Sequence, residues 1–438
     1  MSCGISRPSR RQLLGRSAGA VLAAGVWSSA RLLPARSALE RLRVASIGVG
    51  NRGETNTLEA AGEELVALCD VDQRYLDQRS QRFPDARCYA DFRELFAEER
   101  ELDAVIISTP DHTHAVAARW ALSRRLHVYC EKPLVHSLGE LSPLLAAARR
   151  AGTVTQTGIQ HHSSDGYRQA RAWLAAGVLG PVTAIHAWTD RPFWPQGGAL
   201  RPRPVTPPLH LSWDLWLGPA AARPYSPEYH PMNWRGYWDF GSGALGDRGP
   251  HLLDPVIQGL NLPAPQEVRA TSSRVTGEMA PEWSRVEMDF RRGAAEPPLR
   301  LTWYDGGQQP PREVTRVERL PPNGCLVVGA AGRLFIPELG GPPRLLFPAG
   351  KPVPEPPQVA PEETSHVRAW LGACRAGTPA STDFEYGARL TLLCLLGNLA
   401  LRRGRPLRWD GERQTLIDAP DVAAWVQPPQ RPGWEPPG

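Results

Sequence analysis

Lysine is almost missing from this chain: of 50 Lys and Arg residues, only Lys132 and Lys351 are lysine. Arginine therefore supplies positive charge wherever charge alone suffices, and the lysine in "VYCEKPLVHS" (residues 128–137) points to a use for its amine. A guanidinium keeps its proton and presents a broad planar fork, whereas an amine is compact and able to join in proton transfer. Cysteine is also sparse. Cys3, Cys69, Cys88, Cys130, Cys325, Cys374 and Cys394 are scattered singly, which argues against a disulfide framework or a zinc knuckle. Only His161 and His162 are adjacent histidines, so no metal is expected. No internal repeat is evident, and no apolar run is long enough to span a bilayer comfortably. A content of 42% hydrophobic and 22% charged residues is that of a soluble globular protein, long enough at 438 residues for two domains.

An excess of charge of one sign is missing too, once the N-terminus is set aside. The formal charge of +5 includes six arginines, and no acid, in the first 37 residues, which leaves −1 for the rest. A nucleic-acid partner thereby loses its main support. The leader itself reads "SRRQLLGRSAGAVLAAGVWSSARLLPARSA": a twin arginine (Arg10, Arg11), a short run of small and apolar residues, and an Ala35-Arg36-Ser37 stretch suited to a signal peptidase. Residues 1–37 are expected to be a cleaved twin-arginine signal, with the Tat machinery as an export partner, a periplasmic or otherwise exported product, and no stable membrane span.

From residue 41, "RLRVASIGVGNRGETNTLEAAGEELVALCDVD" reads as strand, turn, helix, strand. Gly48, Gly50 and Gly53 form GxGxxG, the turn that lets a backbone approach a pyrophosphate at a helix N-terminus, with Asn51 and Arg52 inside it. Asp70 ends the next strand 22 residues after Gly48, where a carboxylate meets the adenosine ribose hydroxyls. With Asp72 nearby a 2′-phosphate would meet negative charge, so NAD is favoured over NADP, although Arg74 leaves NADP open. Strands and helices go on alternating to about residue 160, which predicts a doubly wound parallel sheet with ligands beyond the carboxyl ends of its strands. Thr109, Pro110 and His114, then Glu131 and Lys132, then Gln160, His161 and His162 fall at those ends.

The combination of "IGVGNRG", "CDVD", "STPDHTHA", "CEKPL" and "GSGALGDRGPHLLD" resembles the Gfo/Idh/MocA oxidoreductases over roughly residues 41–405. The resemblance implies an α/β protein: a Rossmann domain (38–160), then a domain with an open, mostly antiparallel sheet (161–405) that binds substrate and assembles a homo-oligomer. It also implies sugar or cyclitol substrates and a nicotinamide cofactor. In "GALGDRGPHLLD", Asp247 and His251 are four apart on a predicted helix and so share a face. The resemblance sets this pair at the catalytic position beside Lys132. His251 is then the general base, Lys132 holds and polarises the substrate oxygen, and Asp247 orients and tunes them. Asp254 is read as structural.

Six tryptophans (Trp188, Trp194, Trp213, Trp216, Trp234, Trp238) lie around these motifs. Flat aromatic faces suit sugar rings, while Arg191, Arg235 and His161 suit hydroxyls. Trp188, Trp194 and Trp234 are taken as candidate platforms and the others as packing. Residues 291–360 are rich in proline and glycine and read as hairpins and surface loop with Lys351 solvated there; residues 406–438 read as a proline-rich arm. The expectation is an exported oxidoreductase moving hydride between a sugar, glycoside or cyclitol carbon and a tightly bound NAD. Two alternatives stay open: an NAD-dependent glycosidase or lyase acting by transient oxidation, and a non-catalytic sugar-binding protein.

Overall fold

The computed structural model describes residues 41–293, 297–315, 319–348, 355–362 and 365–436. The signal-peptide expectation for residues 1–37 and the placement of Lys351 lie outside the described residues. The N-terminal part alternates β1 (Arg43–Ile47), α1 (Arg52–Glu59), β2 (Glu64–Cys69), α2 (Gln73–Ser80), β3 (Arg87–Tyr89), α3 (Phe92–Glu98), β4 (Ala104–Ile107), α4 (Asp111–Ser123), β5 (His127–Glu131), α5 (Leu138–Ala151) and β6 (Thr155–Gly158). All six strands are parallel, in the order β3-β2-β1-β4-β5-β6. Chain direction across the sheet reverses between β1 and β4, the place where a crevice opens beyond the strand ends. β4 is buried at every position because both faces are covered, and "AVII" is accordingly an unbroken apolar run.

The chain continues through α6 (Asp165–Ala175), β7 (Val182–Trp188), α7 (Trp213–Leu217), α8 (Gly243–Gly259), β8 (Glu267–Ser272), β9 (Ser284–Phe290), β10 (Leu299–Tyr304), α9 (Arg312–Thr315), β11 (Gly324–Gly329), β12 (Arg333–Pro337), β13 (Arg344–Leu346), α10 (His366–Ala376), α11 (Phe384–Arg403), β14 (Leu407–Asp410), β15 (Thr415–Ile417) and α12 (Ala423–Val426). Its strands form a second, nine-stranded sheet in the order β13-β12-β11-β7-β10-β9-β8-β14-β15. Every pairing is antiparallel except β7 with β10. β9, "SRVEMDF", alternates buried and more exposed residues, as a sheet covered on one face requires. Residues of α6, α8 and α11 supply the helical side of that core.

Two segments depart from the domain boundaries read in the sequence. α10 lies in the 161–405 region, yet Val367, Trp370, Leu371 and Cys374 pack with Val44, Ile106 and Tyr129 of the first sheet. Residues 407–417, assigned to the arm, form the last two strands at one side of the second sheet, with β15 at its edge. The two pair with each other as a hairpin around Asp410-Gly411, a local turn signal that the reading of an arm passed over, while the β14–β8 pairing that adds them to the sheet is long-range. Beyond them, Ala419 and Val422 stay in the core of the second sheet, and the end of the tail reaches the first domain: buried Trp434 packs against Phe92, and its carbonyl accepts from the Trp120 indole at 3.0 Å.

Candidate active site

The two parts meet at one cavity of about 600 Å³ over the switch point. Gly48, with φ +78°, begins its floor; a Cβ there would stand 2.8 Å from the Ser108 carbonyl at the end of β4. At Gly50 a Cβ would run into the Tyr75 ring at 2.5 Å, so the glycine makes room for that ring, which also lines the cavity. Gly53 faces inward: its Cβ would meet the Gly48 carbonyl at 1.8 Å, so it serves the packing of α1 on β1 and does not line the cavity. Asn51 (φ +49°) and Arg52 turn the chain into α1 and line the cavity at the helix N-terminus. The turn, the helix start and the acid beyond β2 together fit a dinucleotide.

That acid, Asp70, accepts from the Val49 N–H at 2.8 Å and the Asp72 N–H at 2.9 Å. Burial nevertheless pushes its carboxyl up to about 6, against those bonds and with help from the Asp72 charge. Asp72 itself is fully buried and caps α2; Arg74 grips its carboxylate with bonds of 3.0 and 2.7 Å, and His230 reaches it at 3.1 Å. The sequence reading set Asp72 against a 2′-phosphate and Arg74 as its possible partner. In the fold these two satisfy each other, which leaves Asp70 as the candidate for discrimination. Asp70→Ser is expected to lower the preference for NAD over NADP by about tenfold or more, measured as the ratio of the two dissociation constants. An unchanged ratio would reassign the choice.

At the other end of the cavity, the Lys132 amine donates to the Asp247 carbonyl at 2.7 Å and to its Oδ1 at 2.9 Å. Arg235 Nε reaches the same Oδ1 at 3.4 Å. Burial alone would raise the Asp247 carboxyl, but Lys132 and Arg235 overcome it and hold it well below the usual carboxylate range. α8 carries Asp247 and His251 and is positioned by small residues. A Cβ on Gly249 would meet Cys394 Sγ at 2.9 Å, and one on Gly397 would meet Leu245 at 2.4 Å, so α8 and α11 interlock through glycine. One turn beyond His251, fully buried Asp254 accepts from His162 Nδ1 at 2.8 Å and from the Tyr386 hydroxyl at 2.6 Å, a structural anchor for the helix.

His251 lines the cavity and is buried, with Nδ1 enclosed and without a hydrogen-bond partner. Burial, then the charges of Lys132, His161, Arg248 and Arg52, push its imidazole well below the ordinary histidine value. Its neutral form therefore persists at and below neutral pH. Asp111, a member of the "PDHTH" cluster to which no role was given, also lines the cavity at the first turn of α4. Burial raises its carboxyl to about 7 against the opposing charges of Lys132 and Arg235, with Asp247 adding to the rise. An acid opening a helix directly after a sheet strand on the cofactor edge was the available signal.

Most of the sequence candidates share this cavity: Gly48, Gly50, Asn51, Arg52, Asp70, Thr109, Pro110, Glu131, Lys132, Gln160, Arg191, Trp194, Trp234, Arg235, Asp247 and His251. Glu131 is fixed by Asn56 at 2.8 Å and Gln160 at 2.5 Å. Besides Gly53, three candidates do not line it. His114 is buried with both ring nitrogens bonded, to the Pro133 carbonyl at 2.7 Å and the Thr109 carbonyl at 2.8 Å, so it is a structural tie, not a nucleotide contact. Trp188 is fully buried beside Tyr304, Leu326 and Phe335, with its indole donating to Pro321, and offers no face to a sugar. The His161 ring lies 5.0 Å from that of His251, which does line the cavity.

A roof that sequence reasoning missed closes the nucleotide end. The Gln73 N–H donates to the His210 carbonyl at 2.8 Å and the Ser212 N–H to the Val71 carbonyl at 2.9 Å, strapping the segment after β7 to the β2–α2 turn. Trp213, Trp216, Tyr225, Tyr229, Trp234, Tyr237 and Phe240 form its own core. Trp216, His230 and Met232 face the same cavity as Gly50 and Asp70. From the tail, Arg431 donates to the Asp214 carbonyl at 2.7 Å and to the Gly218 carbonyl at 2.8 Å, holding the strap down.

Comparison with known proteins agrees with this geometry. Residues 42–159 match the oxidoreductase family with an NAD-binding Rossmann fold, and residues 173–296 match that family's C-terminal alpha/beta domain. The chain belongs to the Gfo/Idh/MocA oxidoreductase family. It is 33% identical over 129 residues to a 1-carboxy-3-chloro-3,4-dihydroxycyclohexa-1,5-diene dehydrogenase of Comamonas testosteroni, covering 29% of this chain and 32% of that one. With the inositol 2-dehydrogenase of Salmonella typhimurium it shares 26% over 151 residues, 33% of this chain and 45% of that one. The chain thus aligns with less than half the length of either relative. The solved WlbA dehydrogenase of Bordetella pertussis, in complex with NADH and UDP-GlcNAcA, shares the fold with a TM-score of 0.62 and 16% identity over 85% of this chain and 99% of that one.

Proposed function

We propose that this Gfo/Idh/MocA protein moves hydride between a hydroxyl-bearing carbon of a sugar, glycoside or cyclitol and a tightly bound NAD. The observation that carries the proposal is the Lys132–Asp247 pair sharing one cavity with His251 and with the glycine turn that fits the dinucleotide. NAD, when bound, supplies the hydride acceptor or donor. The protein supplies the rest. An ammonium has three N–H donors, and two of those on Lys132 are committed to Asp247, which leaves one for a substrate oxygen. His251 takes the hydroxyl proton as a neutral imidazole, and Asp247, kept ionised, balances the charge on Lys132. The dehydrogenases named above, one of them an inositol dehydrogenase and another bound to a sugar nucleotide, support this substrate class.

Two things taken together support the reading of tight binding. The aromatic strap roofs the nucleotide end of the cavity, and the leader has the form of a twin-arginine signal, a route that exports proteins already folded. Outside the cytoplasm no free NAD pool is expected, so an exchanging cofactor would end catalysis after one turnover. A nucleotide carried out with the enzyme must be reduced by one substrate and reoxidised by another, or recycled within one cycle. Protein purified from a Tat-competent host, gel-filtered and then denatured, is expected to release NAD(H) in near-stoichiometric amount. Sugar alone should change nicotinamide absorbance at most stoichiometrically, and a two-substrate reaction should be ping-pong. An empty protein that turns over only with added NAD would overturn tight binding; retention of the leader on protein confined to the cytoplasm would overturn export.

A further inference from the structure

We propose that the mouth of the cavity is a second ring-binding subsite, so that the substrate is a glycoside or short saccharide in preference to a free monosaccharide; this rests on the carbohydrate reading above. Phe193 and Met232 line the cavity and are 71% and 48% exposed, which is unusual for large apolar side chains beside a polar centre. Phe193 is mounted firmly. The Arg191 guanidinium lies 3.5 Å from its ring centroid, and Arg191 is itself fixed by Asp190 at 2.9 Å and by a bond from the Gly306 N–H to its carbonyl at 2.7 Å. One face of the Phe193 ring is thus taken by a cation and the other is left for a ligand.

Contacts connect this rim to the reacting groups. Arg235 holds the Asp247 carboxylate, stacks over Trp234 at 4.3 Å, and donates to the Met232 carbonyl at 3.3 Å. Trp194 adjoins Phe193 in sequence, and the Arg235 guanidinium lies 5.8 Å from its ring. An aromatic wall therefore runs outward from the catalytic carboxylate to solvent. The guanidiniums along it already hold carboxylates, Arg191 that of Asp190 and Arg235 that of Asp247, so the wall favours an uncharged hydroxylated or aromatic ring over an anionic one. C–H faces of such a ring pack on Phe193 and Trp194 while its hydroxyls meet the guanidinium edges.

The test uses the nucleotide-loaded enzyme and matched probes of one sugar: the free aldose, its methyl glycoside, its phenyl glycoside and a disaccharide. The second-order rate constant for reduction of the bound nicotinamide is measured for each. Ring-bearing glycosides are expected to exceed the methyl glycoside by about tenfold, the scale of one stacked ring. Phe193→Ala should remove most of that advantage and Phe193→Tyr should keep it. Equal rate constants across the series, or a Phe193→Ala variant that slows all probes alike, would overturn the subsite and leave the oxidoreductase reading standing. A Phe193→Ala variant whose solution mass changes would assign the ring to a subunit contact and overturn it as well. Failure of every probe, free or linked, to reduce the nicotinamide would bring down the functional reading itself, and the subsite with it.

Discussion

Lys132→Arg is expected to lower the rate of nicotinamide reduction by about 10²-fold or more while nucleotide retention stays as in the parent protein. The substitution conserves charge, which is why it separates the amine from the cation. The Lys132 amine is a compact point that reaches a carbonyl and a carboxylate oxygen of one residue at 2.7 and 2.9 Å, and its side chain is only 12% exposed. A guanidinium would pair with the Asp247 carboxylate through two parallel N–H bonds in the plane of the fork, and its larger head would take up space meant for substrate. No donor would then point where the single remaining ammonium N–H points. Asp247 would keep a positive partner, and Arg235 would still reach it, so the fold around α8 should survive. Single-turnover absorbance measures the rate, and quantified nucleotide after denaturation measures retention. A Lys132→Arg protein within tenfold of the parent would mean that charge alone is used at this position, and the near absence of lysine elsewhere would have been a false guide.

Much of this centre was legible in the sequence because its chemistry is local. Gly48, Gly50 and Asp70 sit within one βαβ unit, and Asp247 and His251 within one helix turn, so spacing alone puts them on the right element and face. That Lys132 meets Asp247 across 115 residues was legible only through the family resemblance. What could not be read are the pairings that depend on where distant segments come to rest. Trp188 looked like a platform, yet β7 is an inner strand of the second sheet and its last residue is sealed by Phe335 and Leu326. Trp216 looked like packing, yet the strap carries it to the cavity. Asp72 and Arg74 had opposite implications for the cofactor until α2 folded one onto the other. Burial is equally non-local: Asp111 reads as an ordinary helix-opening acid, and only the residues enclosing it raise its carboxyl to about 7.

His251→Asn is expected to cut the rate of sugar oxidation by about 10²- to 10⁴-fold at neutral pH, the range of a general base, with substrate affinity little altered. Asparagine can still form a hydrogen bond to a substrate hydroxyl but cannot accept its proton, so the variant isolates proton transfer from positioning. The pH dependence supplies a second readout. Because the His251 imidazole is pushed well below its ordinary value, the neutral base survives as pH falls through the usual histidine range, and wild-type oxidation should show no loss attributable to it there. An inflection near 7, if present in both wild type and His251→Asn, does not come from the imidazole and is expected from Asp111. The same depression makes the imidazolium costly beside Lys132 and Arg248, so the reverse reaction, which needs that proton, should be slow at neutral pH and quicken as pH falls. A His251→Asn enzyme that retains more than about a tenth of the parent rate would remove the imidazole from proton transfer. The Asp111 carboxyl, which lines the same cavity and is raised to about 7, would then be the next group to test for taking the proton, since Asp247 is held too far below the usual carboxylate range to accept it.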